Sequence, residues 1–336
     1  MRISFAMAPL SMVRTIGYGV AGFNVVTALN ALGHETPFKS PDAPIKIRFS
    51  QPDMSPWSNP DAYHIQYTPW ESTELKPGWL EAFNENCDEV WTTSPLIKEW
   101  FIQAGVKEPI YVYQHGIEDM WSPLKRERKG KIKFLFIGEP ASRKGGQQIF
   151  EEFYRLYKNS DEASLTIKGH TRSRIRLYDS RGSIIGTPGQ SARNIEVILD
   201  EYTPEEMVDL YHEHDVFVYF SRGEGFGLIP FQGMATGMPV ITPTAWAPYA
   251  HYVLPGLGVG SDLGDSPYPI EHPGKIYLPR RQELANSMEY AVENFEELSE
   301  KAYDQAFLLH EEYNWKNLTK NAFDPVIKKV ENGWKR

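Results

Sequence analysis

The sequence predicts an α/β protein of two domains, each built on a parallel sheet. Three observations predict it. Short apolar strand segments alternate with amphipathic helical segments in both halves of the chain. A charged stretch with no apolar periodicity separates the halves. The length, 336 residues, is enough for two cores of ordinary size.

Taken in order, Ile3–Ala8 reads as a buried strand, and the glycine-rich turn Gly17–Gly22 follows it. A helix then runs to Leu32, with Val25, Val26, Ala28, Leu29 and Leu32 as its apolar positions and Gly33 as its stop. Tyr63–Tyr67, Glu89–Thr92 and Ile110–Tyr113 read as short strands, with helices at Trp79–Asn84 and Pro95–Ala104 between them. The boundary falls at Met120–Lys131, where Ser122–Lys131 is charged and precedes a fresh core strand. That strand, Ile132–Ile137, is the strongest in the chain. A helix at Gln147–Lys158, strands at Ser164–Lys168 and Asn194–Leu199 and a helix at Pro204–His212 continue the alternation. The buried strand Val216–Phe220, the helix Leu228–Thr236 and the strand Val240–Thr242 complete it. Residues 171–193 and 256–274 read as loops, and a helical pattern from Trp315 onward places Leu318, Ala322 and Val326 on one stripe. The domains expected are therefore 1–122 and 131–312, with 313–336 as a terminal helix.

The composition is that of a globular protein, 41% hydrophobic and 24% charged. A formal net charge of −9 argues against non-specific attachment to nucleic acid or to an anionic membrane. Cys87 is the only cysteine, which excludes an intramolecular disulfide and fits a reducing compartment. The first apolar run is too short for a signal peptide and is broken by Pro9, and no stretch approaches the roughly 20 apolar residues of a membrane span. The expected location is cytoplasmic, with no integral membrane segment.

The chemistry concentrates at Ser221–Gln232, which joins a buried strand to a helix at the carboxyl edge of a parallel sheet. Gly225 and Gly227 let the backbone approach a ligand, and the free N–H groups of the following helical turn suit a diphosphate. Glu224 can accept hydrogen bonds from sugar hydroxyls, and Gln232, eight residues on, can reach a second polyol. A plain glycine-rich turn whose acid caps the helix fits the same residues.

The run Glu224-Gly225-Phe226-Gly227-Leu228, with Met234-Ala235-Thr236-Gly237-Met238-Pro239-Val240-Ile241 after it, resembles the signature of retaining glycosyltransferases of family 4. In that pattern a second acid stands eight positions after the first; here it is Gln232. Phe136-Ile137-Gly138 followed by Arg143-Lys144-Gly145-Gly146 resembles the family's donor-diphosphate loop, except that Glu139 stands where the family often has arginine. Gly17-Tyr18-Gly19 resembles the loop that faces the donor phosphates, and Arg222 and Arg14 are candidates for the missing cation.

The resemblance implies the GT-B architecture: two Rossmann-like parallel-sheet domains facing each other across a cleft, with the C-terminal helix crossing back to the first. It implies a metal-independent, hexosyltransferase-type enzyme that moves a sugar, with retention, from a UDP- or GDP-sugar to a hydroxyl acceptor. Glu224 and Lys144 would be the catalytic residues. Gly17, Gly19, Arg143, Lys144, Gly225, Phe226, Gly227, Leu228 and Gln232 would bind the donor. Glu71 and His115 are candidates for the acceptor side or the hinge. No cofactor is implied, since the nucleotide sugar is a substrate. The acceptor class stays open; the arginine-rich stretch 171–193 keeps nucleic acid among the acceptors, though the acidic net charge disfavours it. A nucleotide-sugar epimerase or hydrolase, or a donor-binding protein without turnover, are the alternatives on the same fold.

Overall fold

A computed structural model describes residues 1–7, 17–37, 40–140, 143–170, 177–178, 184–186, 194–334. Arg14 and the arginines of 171–193 lie outside the described residues. The chain forms two compact units: one of Met1–Glu118, Asp265–Ile276 and Tyr313–Arg336, the other of Asp119–Gly264 and Tyr277–Glu312.

In the first unit, β1 (Ile3–Ala6), β2 (Ile45–Phe49), β3 (Tyr63–Tyr67), β4 (Glu89–Thr92) and β5 (Ile110–Val112) form one sheet in that order, every pair parallel. All five carboxyl ends therefore lie along one edge. Helix α1 (Gly17–Ala31) follows β1, while α2 (Trp79–Asn86) and α3 (Pro95–Gln103) lie on either side of β4 in the sequence. Pro95 at N1 and the Ser94 hydroxyl, which accepts from the Ile97 amide, start α3. The glycine-rich turn expected at Gly17–Gly22 is instead the first turn and a half of α1. Gly22 is there for packing: a Cβ on it would strike Met7 and press on Phe49, whereas no described atom stands near one on Gly17.

In the second unit, β6 (Ile132–Ile137), β7 (Ala163–Lys168), β10 (Ile195–Ile198), β11 (Val216–Val218), β12 (Val240–Pro243) and β13 (Gly258–Val259) form a six-stranded sheet. β8 (Leu177–Tyr178) pairs antiparallel with β9 (Ile184–Gly186). The large sheet runs β10-β7-β6-β11-β12-β13, all parallel. In order of appearance this is 3-2-1-4-5-6, the doubly wound arrangement, and its direction reverses between β6 and β11. Helices α4 (Gly146–Tyr157), α5 (Pro204–His212) and α6 (Leu228–Ala235) connect these strands. A capping box, Thr203 with Glu206, starts α5.

The stretch 256–274, expected as loop, contains β13 and β14 (Ser261–Asp265), and β14 pairs with β15 (Lys275–Pro279). Helices α7 (Arg281–Glu293) and α8 (Phe295–Glu312) follow, and α9 (Trp315–Glu331) ends the chain. Within the first unit α9 packs on α1, and Phe323 stacks edge-on against Trp91 with ring centroids 4.8 Å apart. The charged stretch 122–131 holds one buried cation. Arg126 donates to the carbonyls of His214, Tyr211 and Thr236, all within 2.9 Å, which satisfies the carbonyl ends of α5 and α6. Among the described residues, no helix is long and apolar enough to cross a membrane.

Candidate functional site

The two loops that follow β6 and β11 lie at the switch point of the second unit's sheet, the position where open α/β sheets leave a ligand crevice. They are joined by backbone: the Arg222 amide donates to the Arg143 carbonyl at 3.0 Å. Gly145, with φ +79°, is the residue before α4, and a Cβ there would run into the Phe220 carbonyl. Glycine is thus what lets the Arg143-Lys144 loop lie against the end of β11.

Glu224 is buried at this junction. Lys144 Nζ stands 2.6 Å from each carboxylate oxygen. Arg143 donates to Oε1 at 3.0 Å, and also to the carbonyl of Gly223. The hydroxyls of Tyr219 and Ser221 donate to the same Oε1 at 2.8 and 2.6 Å. Burial alone would raise this carboxyl's pKa. The charges of Arg143 and Lys144, with hydrogen bonds from Lys144 and Ser221, outweigh it and hold the pKa down at about 2. Burial and the neighbouring Glu224 push the Tyr219 phenol far up, so it stays a donor.

The depressed carboxyl has a consequence for stability. Its pKa falls from 4.5 unfolded to about 2 folded, so the pair's contribution is complete above pH 4.5 and is lost as pH falls towards 2. At about 1.4 kcal/mol per pKa unit, this amounts to roughly 3 kcal/mol. Chemical denaturation of the wild type and of Glu224→Gln across pH 2–8 should show a gap that is constant above pH 5 and closes below it. A gap independent of pH would contradict the ionised state.

The signature run continues into α6, whose preceding residue, Gly227, has φ +89°. Gly225 and Gly227 are buried, Leu228 and Gln232 are half-buried, and all lie on this junction or in α6. The Phe226 ring does not face open space. It packs edge-on against Phe231 and Tyr249, at 5.1 and 5.5 Å, so only its backbone is available to a ligand. Glu139 stands 3.5 Å from His170, at the ends of the adjacent strands β6 and β7.

Sequence reasoning missed two residues that hold this loop. Trp246 Nε1 donates to the Ser221 carbonyl at 2.9 Å, and the Tyr249 hydroxyl donates to the Gly227 carbonyl at 2.6 Å. Both side chains are buried, and a Cβ on Gly227 would strike both. The only signal was two large aromatics shortly after β12. Tyr249→Phe leaves the Gly227 carbonyl with the Phe231 amide, 3.3 Å away, and should cost about 1 kcal/mol in urea denaturation. No change in the midpoint would remove that bond from the account.

In the first unit, Gly17 and Gly19 open α1. The Tyr18 hydroxyl donates to the Pro69 carbonyl at 3.4 Å, and burial followed by the charge of Glu71 raises its pKa. Glu71 lies 3.6 Å from His272, and the neighbouring Thr73 exchanges two hydrogen bonds with Lys275. His115 is buried among Phe49, Tyr67 and Trp315, and burial lowers its pKa to about 3, so its ring is neutral at pH 7. The structure thus gathers Gly17, Gly19, Glu71 and His115 at the carboxyl edge of one sheet, and Lys144, Arg143, Glu224 and Gln232 at that of the other.

Residues 131–256 match the family model described as glycosyl transferases group 1. No curated protein matches the sequence. Among solved structures, HepE of Anabaena in complex with UDP-glucose is similar over 98% of this chain and 100% of that one, with TM-score 0.65 and 12% identity. WaaG, a glycosyltransferase involved in lipopolysaccharide biosynthesis, aligns over 96% and 98% with TM-score 0.61 and 12% identity. The sucrose-phosphate synthase of Thermosynechococcus elongatus aligns over 96% and 80% with TM-score 0.59 and 15% identity. At these identities the structures speak for the fold. With its second unit carrying a glycosyl transferases group 1 domain and both its sheets set in the GT-B fold, the chain is a glycosyltransferase.

Proposed function

We propose that the enzyme transfers a sugar from a nucleoside-diphosphate sugar, a UDP- or GDP-sugar, to a hydroxyl acceptor with retention at the anomeric carbon. The observation that carries this reading is the Lys144–Glu224–Arg143 cluster at the switch point, where a carboxylate and two cations stand beside the start of α6. The cations and the helix's free N–H groups suit a diphosphate. The carboxylate suits the hydroxyls of the attached sugar. HepE, of the same fold, was solved in complex with UDP-glucose, which fits a donor of this class.

In the reaction, the bond from the anomeric carbon to the diphosphate oxygen breaks and a bond to the acceptor oxygen forms on the same face. The acceptor's proton passes to the departing phosphate oxygen, so no protein base is needed. Lys144, Arg143 and the α6 amides stabilise the charge that develops on the diphosphate, while Glu224 and Gln232 position the sugar and ribose. Glu71 is proposed to bind an acceptor hydroxyl. Gly17 and Gly19 offer further backbone amides at the start of α1. The scheme assigns no step to a metal. The buried Cys87 and a nucleotide-sugar substrate both fit the cytoplasm.

A thermal-shift panel of UDP- and GDP-sugars, run with and without EDTA, tests this reading. One or more donors should raise Tm by several degrees, unaffected by chelator. No shift with any donor, or a shift lost with EDTA, would contradict it. Product analysis of the stabilising donor without acceptor distinguishes transfer from epimerisation, which would leave an isomeric nucleotide sugar.

A further inference from the structure

We infer that Glu224 is the residue that makes this site prefer sugar-bearing nucleotides to sugar-free diphosphates, its own product included. The inference rests on the donor-site reading above. It starts from an inequality between the two carboxylate oxygens. Among the described residues, Oε1 accepts from Lys144, Arg143, Tyr219 and Ser221, whereas Oε2 accepts from Lys144. Tyr219 and Ser221 come from the end of β11 and the residues just after it, so they fix the carboxylate independently of the cations. Lys144 comes from the other loop and spans both oxygens.

Without a nucleotide sugar, Glu224 pairs with both cations. A diphosphate that takes Lys144 leaves Oε2 with no donor and sets like charges close together in a buried place, which is unfavourable. A sugar hydroxyl restores a donor to Oε2. Pyrophosphate or a bare nucleoside diphosphate brings none, so it binds against the full opposition of the carboxylate. The same opposition returns after transfer, when the sugar has left and Glu224 recaptures Lys144 as the diphosphate departs. Sugar recognition and phosphate recognition are in this way coupled through one lysine.

Calorimetric titration with inorganic pyrophosphate, which carries the charge but no sugar or base, tests this on the full-length protein. Glu224→Gln keeps the shape and removes the charge, and it should bind pyrophosphate at least tenfold more tightly than the wild type. Equal or weaker binding overturns the inference. Lys144→Met should bind at least tenfold more weakly than the wild type. If it binds equally, the donor-site reading falls and this inference with it. If Lys144→Met loses binding while Glu224→Gln gains nothing, the inference alone falls. Should Glu224→Gln not fold, as judged by circular dichroism, Tyr219→Phe decides. With one hydroxyl gone the carboxylate leans harder on Lys144, so pyrophosphate should bind two- to fivefold more weakly, and unchanged or tighter binding overturns the proposal.

Discussion

Lys144→Met is expected to lower the rate of sugar transfer by about 100- to 1000-fold, the loss typical of removing one preorganised electrostatic donor. Arg143 is a poor substitute, because its guanidinium already serves the Gly223 carbonyl as well as Glu224. Lys144 also lies on a loop whose path is fixed by Gly145 against the end of β11, so its ammonium is held in place before a donor arrives. The fold should survive, since Glu224 keeps Arg143, Tyr219 and Ser221 as donors. Steady-state transfer with the donor found in the thermal panel, set beside the melting temperature, measures this. A variant that transfers at the wild-type rate removes Lys144 from the chemistry.

Glu224→Ala should reduce transfer by 1000-fold or more and also cost stability. The substitution leaves the Tyr219 hydroxyl without its acceptor and removes the carboxylate between Arg143 and Lys144, while the Ser221 hydroxyl keeps the Gly223 carbonyl. Breaking a buried pair from one side typically costs about 3–5 kcal/mol. Arg143 and Lys144 are each about a fifth exposed, so water screens part of that loss and the lower figure is the better guide. A drop in Tm of several degrees with loss of transfer is the expected result. Unchanged turnover would exclude Glu224 from the site. An unchanged Tm with lost activity would show that the cations relax into solvent.

Much of this was legible in the residues because it rests on local pattern. Ile132–Ile137 reads as a core strand since both of its faces are apolar apart from Lys133, and the structure buries it between β7 and β11. The start of α6 was legible because glycines, then Pro230, follow a buried strand. What pattern does not carry is the pairing of distant polar atoms. Ile45–Phe49 went unread as a strand because Lys46 and Arg48 interrupt it, yet Lys46 is buried, its ammonium donating to the Ser58 hydroxyl at 2.7 Å. The glycines and prolines of 256–274 signalled loop, but β13 and β14 gain their ladders from partners elsewhere in the chain.

At the site itself, the identities of Glu224 and Lys144 were open to sequence reasoning, while the arrangement was not. That Oε1 collects four donors follows from how the ends of β6 and β11 meet, and no spacing rule states it. Trp246 and Tyr249 hide for the same reason, since each reaches back some twenty residues to a backbone carbonyl. The expected glycine-rich turn at Gly17 failed on a competing principle. The α1 helix begins at Gly17, and Gly22 serves close packing against Met7 and Phe49 rather than a bend.

Amide hydrogen exchange, with and without the nucleotide sugar that gives the largest thermal shift, locates the donor on the protein. If the donor occupies the switch point of the second unit's sheet, protection should rise in the segments 143–147 and 221–230, the two loops that carry Lys144 and Glu224. A donor that stabilises the protein while leaving both segments unprotected would contradict the account.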